Sequence, residues 1–171
     1  MFRNTPFGVD AWQRIGEPAR YTGRFHGKDD PLPLYAADSY RASLMEHELH
    51  TAEPLHPERE VLRRVTALAI ASGTHVLLGD HLATLEATGL TLGEVYHPTN
   101  YSACHQLIEF ARSIPDVVAV STQSNADRPQ RTLAILPEHV HRITGLVDYW
   151  EGSLNLLKQA LIPAPVPSGQ R

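Results

Sequence analysis

Arg24, Tyr35 and Glu46 stand eleven residues apart, twice over, inside the stretch Gly23-Arg-Phe-His-Gly-Lys-Asp-Asp-Pro-Leu-Pro-Leu-Tyr-Ala-Ala-Asp-Ser-Tyr-Arg-Ala-Ser-Leu-Met-Glu46. An arginine presents a planar fork of N–H donors to phosphate oxygens. A tyrosine presents a stacking face with a polar tip. A glutamate takes a proton or stabilises a developing positive charge. Together they suit an enzyme that holds a dinucleotide and cleaves its N-glycosidic bond. Each also has an ordinary reading: Arg24 pairing with Asp29 or Asp30, Tyr35 in a core, Glu46 on a solvated helix face. Gly23 and Gly27 beside the arginine favour the functional reading, because glycine lets backbone approach a phosphate closely.

The elements that must position this triplet are short. Leu34–Ala37 reads as a strand, and so does Trp12–Gly16. Between them Gly23, Gly27, Asp29, Asp30, Pro31 and Pro33 make a loop. Ser39 or Asp38 caps a helix in which Ala42, Met45, Leu49 and Ala52 share one face, with Glu46 at its polar border, and Pro54 and Pro57 end it. Residues 61–71 fit helical spacing but carry β-branched residues. A strand is expected at 75–79, a helix at 80–88 closed by Gly89, loop at 90–101, and a helix with Ala103, Leu107, Ala111 and Ile114 on one face, stopped by Pro115. Strands follow at 117–121 and 132–136. Pro137 is placed to begin a long C-terminal helix, in which Val140, Ile143, Val147, Trp150, Leu154, Leu157 and Leu161 form a heptad stripe. That stripe either covers the domain's own sheet or forms a protein interface, to a second copy or to another protein. The expected organisation is one domain over residues 1–161 and a mobile tail over 162–171.

Composition narrows the function. A chain of 171 residues with 42% hydrophobic and 20% charged content fits one ordinary globular domain. A net charge of −4 argues against non-specific nucleic-acid binding. Cys104 is the single cysteine, which excludes an intramolecular disulfide and fits a reducing compartment. The first eleven residues lack the apolar run of a secretory signal, and no stretch reaches the ~20 apolar residues of a membrane helix. A cytoplasmic protein is expected.

Other motifs carry less. His47 and His50 stand three apart, not the four of the HExxH zinc pattern, and the remaining histidines are scattered, so no metal site is expected. Cys104 and His105 are helix neighbours that point about 100° apart, so they do not make a nucleophile–base pair. No glycine-rich dinucleotide or phosphate-loop fingerprint is present.

The text around the triplet resembles the RES domain, the toxin half of RES–Xre toxin–antitoxin pairs. The correspondence runs through Gly23-Arg24-Phe25-His26, then Leu34-Tyr35-Ala36-Ala37-Asp38-Ser39, then Glu46. Trp12-Gln13-Arg14-Ile15 resembles the family's opening strand, Tyr101–Arg112 its helix with a central glutamine (Gln106), Asp116–Thr122 its strand ending in a serine, and Leu133–Leu136 the strand after that. Phe25 and His26 replace the family's Trp and Asn, Thr22 replaces a glycine, and Val117-Val118 replaces Gly-Ile. The resemblance implies an α+β fold similar to ADP-ribosyltransferases, a small mixed sheet with flanking helices. It further implies NAD as substrate, consumed by phosphorolysis, hydrolysis or ADP-ribosyl transfer, and an Xre-type antitoxin as partner. It favours a strand for residues 61–71. Carried over residue by residue, it makes Arg24, Tyr35, Glu46 and Ser121 catalytic, and Arg14, Arg24, Tyr35, His26 and Thr122 cofactor-binding, with Ser121 and Thr122 alternatives for the family serine.

Overall fold

In the computed structural model, residues 1–6, 9–50, 62–126 and 129–153 are described. The chain runs β1 (Phe2–Pro6), β2 (Leu34–Ala37), α1 (Tyr40–His50), β3 (Leu62–Ile70), β4 (His75–Leu78), α2 (Leu82–Thr88), α3 (Leu92–Val95), α4 (Ser102–Arg112), β5 (Val117–Gln123), β6 (Arg131–Ile135), a 3-10 turn (Pro137–Arg142) and β7 (Ile143–Ser153). The strands form one mixed sheet in the order β4-β5-β6-β2-β1-β3-β7. Only β4 and β5 run parallel, and α2, α3 and α4 occupy the chain between them. The other pairs are antiparallel. This is the expected α+β class with a mixed sheet.

The sheet buries both faces. On one, Val120, Ala134 and Tyr35 pack with Phe25 and with Leu107, Ile108 and Ala111 of α4. That helix supplies an apolar stripe at helical spacing and ends where Pro115 forbids another turn. On the other face Leu34, Val118, Ile135 and Ile143 pack with Trp12 and Ile15. Strands buried on both sides read as continuous apolar runs, which is why β5 is so plain in the sequence. The register places Tyr35 opposite Ala134, Ala37 opposite Thr132, and Thr132 opposite Thr122, so these side chains share a face.

Three expectations are corrected. The chain from Pro137 is not a long helix: six residues of 3-10 turn lead into β7, which pairs with β3 along Ile143–Ser153. Thr144, Val147, Tyr149 and Trp150 favour strand, Gly145 and Gly152 disfavour helix, and β3 offers a ladder to complete. The heptad stripe is therefore broken from Ile143, while residues 154–161, the tail 162–171 and the segment after His50 with Pro54 and Pro57 lie outside the described residues. Trp12–Gly16 is a turn, not a strand: the Asp10 carboxylate accepts from Trp12 N–H (2.7 Å), and Arg14 adopts φ 68°. Its place in the sheet is taken by Phe2–Pro6. Residues 90–101 also contain α3, started by a reciprocal cap in which Thr91 Oγ1 accepts from Glu94 N–H and Glu94 accepts from Thr91 N–H. The ambiguous segment 61–71 is strand over Leu62–Ile70.

Candidate active site

A cavity of about 420 Å³ opens beside β2, lined among others by Arg24, His26, Tyr35, Glu46, Tyr101 and Thr132. Arg24 and Phe25 form the tip of a tight turn closed by Gly23 N–H donating to His26 O (2.9 Å). Two outside groups fix that turn. His105 Nε2–H donates to the Gly23 carbonyl (2.9 Å), and Phe25 N–H donates to Tyr35 Oη (3.2 Å). Tyr35 Oη also lies 2.8 Å from His26 Nδ1. Since the phenol oxygen already accepts from Phe25, its own proton is assigned to Nδ1, leaving His26 protonated on Nε2. Burial pushes the Tyr35 phenol up, so it stays protonated. Burial first, then His105 nearby, holds His26 below the ordinary imidazole range, so the ring stays neutral.

Arg24 is only 7% exposed. Its guanidinium lies 5.3 Å from the Phe25 ring centroid and 5.4 Å from that of Tyr96, and Nη2 donates to the Val95 carbonyl at 3.5 Å. Among the described residues it has no carboxylate partner. A buried, uncompensated guanidinium at a cavity wall is a site for an anion.

Glu46 reaches the cavity from α1, whose first turn is capped by Ser39 Oγ accepting from Ala42 N–H (3.1 Å). Its Oε1 accepts from Ser124 Oγ (2.5 Å) and from Asn125 N–H (2.9 Å). The carboxylate is thus clamped to the turn after β5.

The structure brings Arg24, His26, Tyr35 and Glu46 to one cavity and leaves three candidates, Arg14, Ser121 and Thr122, outside its lining. Arg14 sits in the solvent-exposed turn 3.2 Å from Glu17 and does not line the cavity. Ser121 is buried with its hydroxyl accepting from Arg131 Nε (3.0 Å), and by register it faces the opposite side of the sheet from Tyr35. Thr122 has no exposed surface and sits opposite Thr132, which does line the cavity. Neither threonine's hydroxyl has a hydrogen-bond partner among the described residues.

Sequence reasoning missed Ser124, Thr132 and the pair Asp80 and Tyr96. A signal for Ser124 existed. The strand continues to Gln123, so the serine at its end is Ser124, one alternation beyond Thr122 on the Glu46 side. Among the described residues no three His, Cys, Asp or Glu side chains converge as a metal site, and no helix is long and apolar enough to cross a membrane.

Such an arrangement, a mixed sheet with a buried arginine, aromatic rings and a clamped glutamate on one cavity, defines a small α+β domain with a cleft lined in part by polar side chains. The RES domain family model matches residues 4–154, and the chain belongs to that family. Its fold is similar to that of a chain in the crystal structure of the M. tuberculosis MbcT–MbcA toxin–antitoxin complex, with TM-score 0.59 and 15% identity over 92% of this chain and 86% of that one. No curated protein sequence matches the chain.

Proposed function

We propose that this chain is the toxin of a toxin–antitoxin pair and that its cavity takes NAD and cleaves the nicotinamide–ribose bond. The observation that carries the reading is the pairing of Arg24, buried without a carboxylate among the described residues, with the clamped Glu46 on one cavity. Family membership and the fold shared with a chain of a toxin–antitoxin complex support it.

In this reading Arg24 grips the pyrophosphate through its fork. Tyr35, whose hydroxyl is engaged by His26 and Phe25 N–H, offers its ring to nicotinamide or adenine. The bond from ribose C1′ to the pyridinium nitrogen breaks with its electron pair leaving on nicotinamide, which departs neutral. The positive charge left on the ribose faces Glu46. A nucleophile then adds at C1′: phosphate, water or a protein side chain. The unpartnered hydroxyl of Thr132, which lines the cavity, offers donor and acceptor capacity for the nicotinamide carboxamide. The chemistry needs no metal. The partner in this proposal is an Xre-type antitoxin that covers the cleft, and the protein acts in the cytoplasm.

The test is direct. Purified protein is incubated with NAD, with and without phosphate, and nicotinamide and the ribosyl product are followed chromatographically. Nicotinamide release supports the reading, and phosphate dependence names the acceptor. NAD binding without release would instead support a RES domain that binds nucleotide without turnover, a reading favoured by His26 in the arginine turn.

A further inference from the structure

Arg24 raises a question that its own turn does not answer. A buried guanidinium is normally held by a carboxylate, which would also quench its charge and occupy its donors. Here two aromatic faces, one long hydrogen bond and the neighbouring Cys104 thiol surround it. Two of those contacts, the Val95 carbonyl and the Tyr96 ring, come from adjacent residues at the end of α3. This short helix is fixed at its start by the Thr91–Glu94 cap and at its end by Tyr96.

Tyr96 is itself anchored with unusual thoroughness for a residue outside the conspicuous motifs. Its hydroxyl donates to Asp80 Oδ2 (2.5 Å) and accepts from Gln123 N–H (3.0 Å). Asp80 also accepts from Gln123 N–H (3.0 Å) and, on Oδ1, from Arg131 Nη2 (2.5 Å). Arg131 in turn donates through Nε to Ser121 Oγ (3.0 Å) and through Nη2 to the Ser121 carbonyl (3.1 Å). Four segments therefore meet at one carboxylate: the end of β4, α3, β5 and β6. Burial alone would raise the Asp80 carboxyl, but the hydrogen bonds from Arg131, Tyr96 and Gln123 outweigh it and hold Asp80 below the ordinary carboxylate range. Burial and the Asp80 bond push the Tyr96 phenol up to about 12, so its proton stays in place. A phenol that donates to a carboxylate has a more electron-rich ring, and a cation over that ring is held more firmly.

We propose that Tyr96, gripped by Asp80, is the positioning residue for Arg24. It aims the guanidinium into the cavity by its ring face and delivers the influence of a negative charge without placing a carboxylate on the fork. The donors of Arg24 stay available for an incoming anion. Ser121 and Arg131 serve as the outer supports of Asp80, a role for Ser121 distinct from touching substrate. The anion's identity as the NAD pyrophosphate rests on the function proposed above; the positioning does not.

The experiment compares Tyr96→Phe, Tyr96→Leu and Asp80→Asn with the unsubstituted protein, each first checked for folding by circular dichroism. Two readouts are taken. The first is the side-chain Nε–H resonance of Arg24 in ligand-free protein, identified by its loss in Arg24→Lys. The part of the ring-current displacement that Tyr96 adds to that of Phe25 should persist in Tyr96→Phe and be lost in Tyr96→Leu. The second is NAD affinity by calorimetry in a Glu46→Gln background. Tyr96→Leu should weaken it about tenfold, Tyr96→Phe about threefold or less, with Asp80→Asn between. An unmoved Arg24 resonance in a folded Tyr96→Leu protein overturns the proposal. So does equal loss of the resonance shift in Tyr96→Phe and Tyr96→Leu, which would make the hydroxyl, not the ring, responsible. If the resonance behaves as expected while no variant, nor the unsubstituted protein, binds NAD, the positioning stands and the NAD reading falls. If NAD binds equally to all of them, the positioning falls.

Discussion

The imidazole of His26 lies where a side chain on Gly23 would have to be: a Cβ there would sit 2.2 Å from His26 Cε1. The two residues bridge each other across the turn that carries Arg24, and the ring is kept in place by Tyr35. A larger residue at position 23 would have to displace that ring.

Gly23→Ala should therefore cost about 1–3 kcal/mol and detach His26 from Tyr35. The cost should shrink to about 0.5 kcal/mol or less when His26 is also replaced by Ala, since the clash is then gone. Denaturant unfolding of the two single variants and the double variant completes the cycle. A Gly23→Ala penalty that is the same in both backgrounds would refute the steric account.

Ser124 and Ser121 should behave differently. Ser124→Ala removes one of the hydrogen bonds to Glu46 Oε1 and should lower NAD turnover about tenfold, while Glu46→Gln should lower it about 100-fold or more. Ser121→Ala touches Arg131 and should act on NAD affinity more than on turnover. A folded Ser124→Ala protein with full turnover would remove Ser124 from the site.

Arg24→Lys should weaken NAD binding about tenfold or more in a Glu46→Gln background, because an ammonium reproduces neither the fork nor the fit over two rings. Equal affinity by calorimetry would count against the assignment.

His26 gives a pH dependence of known sign. Its folded-state pKa lies below the ordinary value of 6.5, so the unfolded chain binds the proton more readily. The stability that His26 contributes is complete above that value and is lost as pH falls below it, through the folded-state pKa. Melting temperature should fall more between about pH 7.5 and 5.5 in the native protein than in His26→Asn. Parallel profiles for the two proteins would show that His26 does not titrate differently on folding.

The sequence was legible where one period dominated. The apolar runs of β5 and β6 and the striped α4 needed no tertiary information. The C-terminal stretch was misread because its threes and fours matched a helix, although Gly145, Gly152 and the β-branched residues argued otherwise; the decisive factor was β3, a partner some eighty residues upstream. Phe2–Pro6 was missed because five residues containing a proline show no pattern of their own. At the site, Arg24, Tyr35 and Glu46 were recognisable by type and context. Ser124, Asp80 and Tyr96 were not, because contact with the triplet is created only by folding: Ser124 and Glu46 are 78 residues apart.

Those separations have a further consequence, for the nascent chain. Glu46 waits for Ser124, Arg24 for Val95 (71 residues on), and Gly23 for His105 (82 residues on). Strand β2, which carries Tyr35, gains its β6 neighbour only when Arg131–Ile135 has been made. A ribosome that has synthesised the first half of the chain has already emitted Arg24, Tyr35 and Glu46, the first two with their local contacts to Phe25 and His26, yet none of the distant partners that complete the cleft. The cleft is assembled late in translation, and a product truncated before Ser124 carries the reactive residues without the geometry that would make them act together.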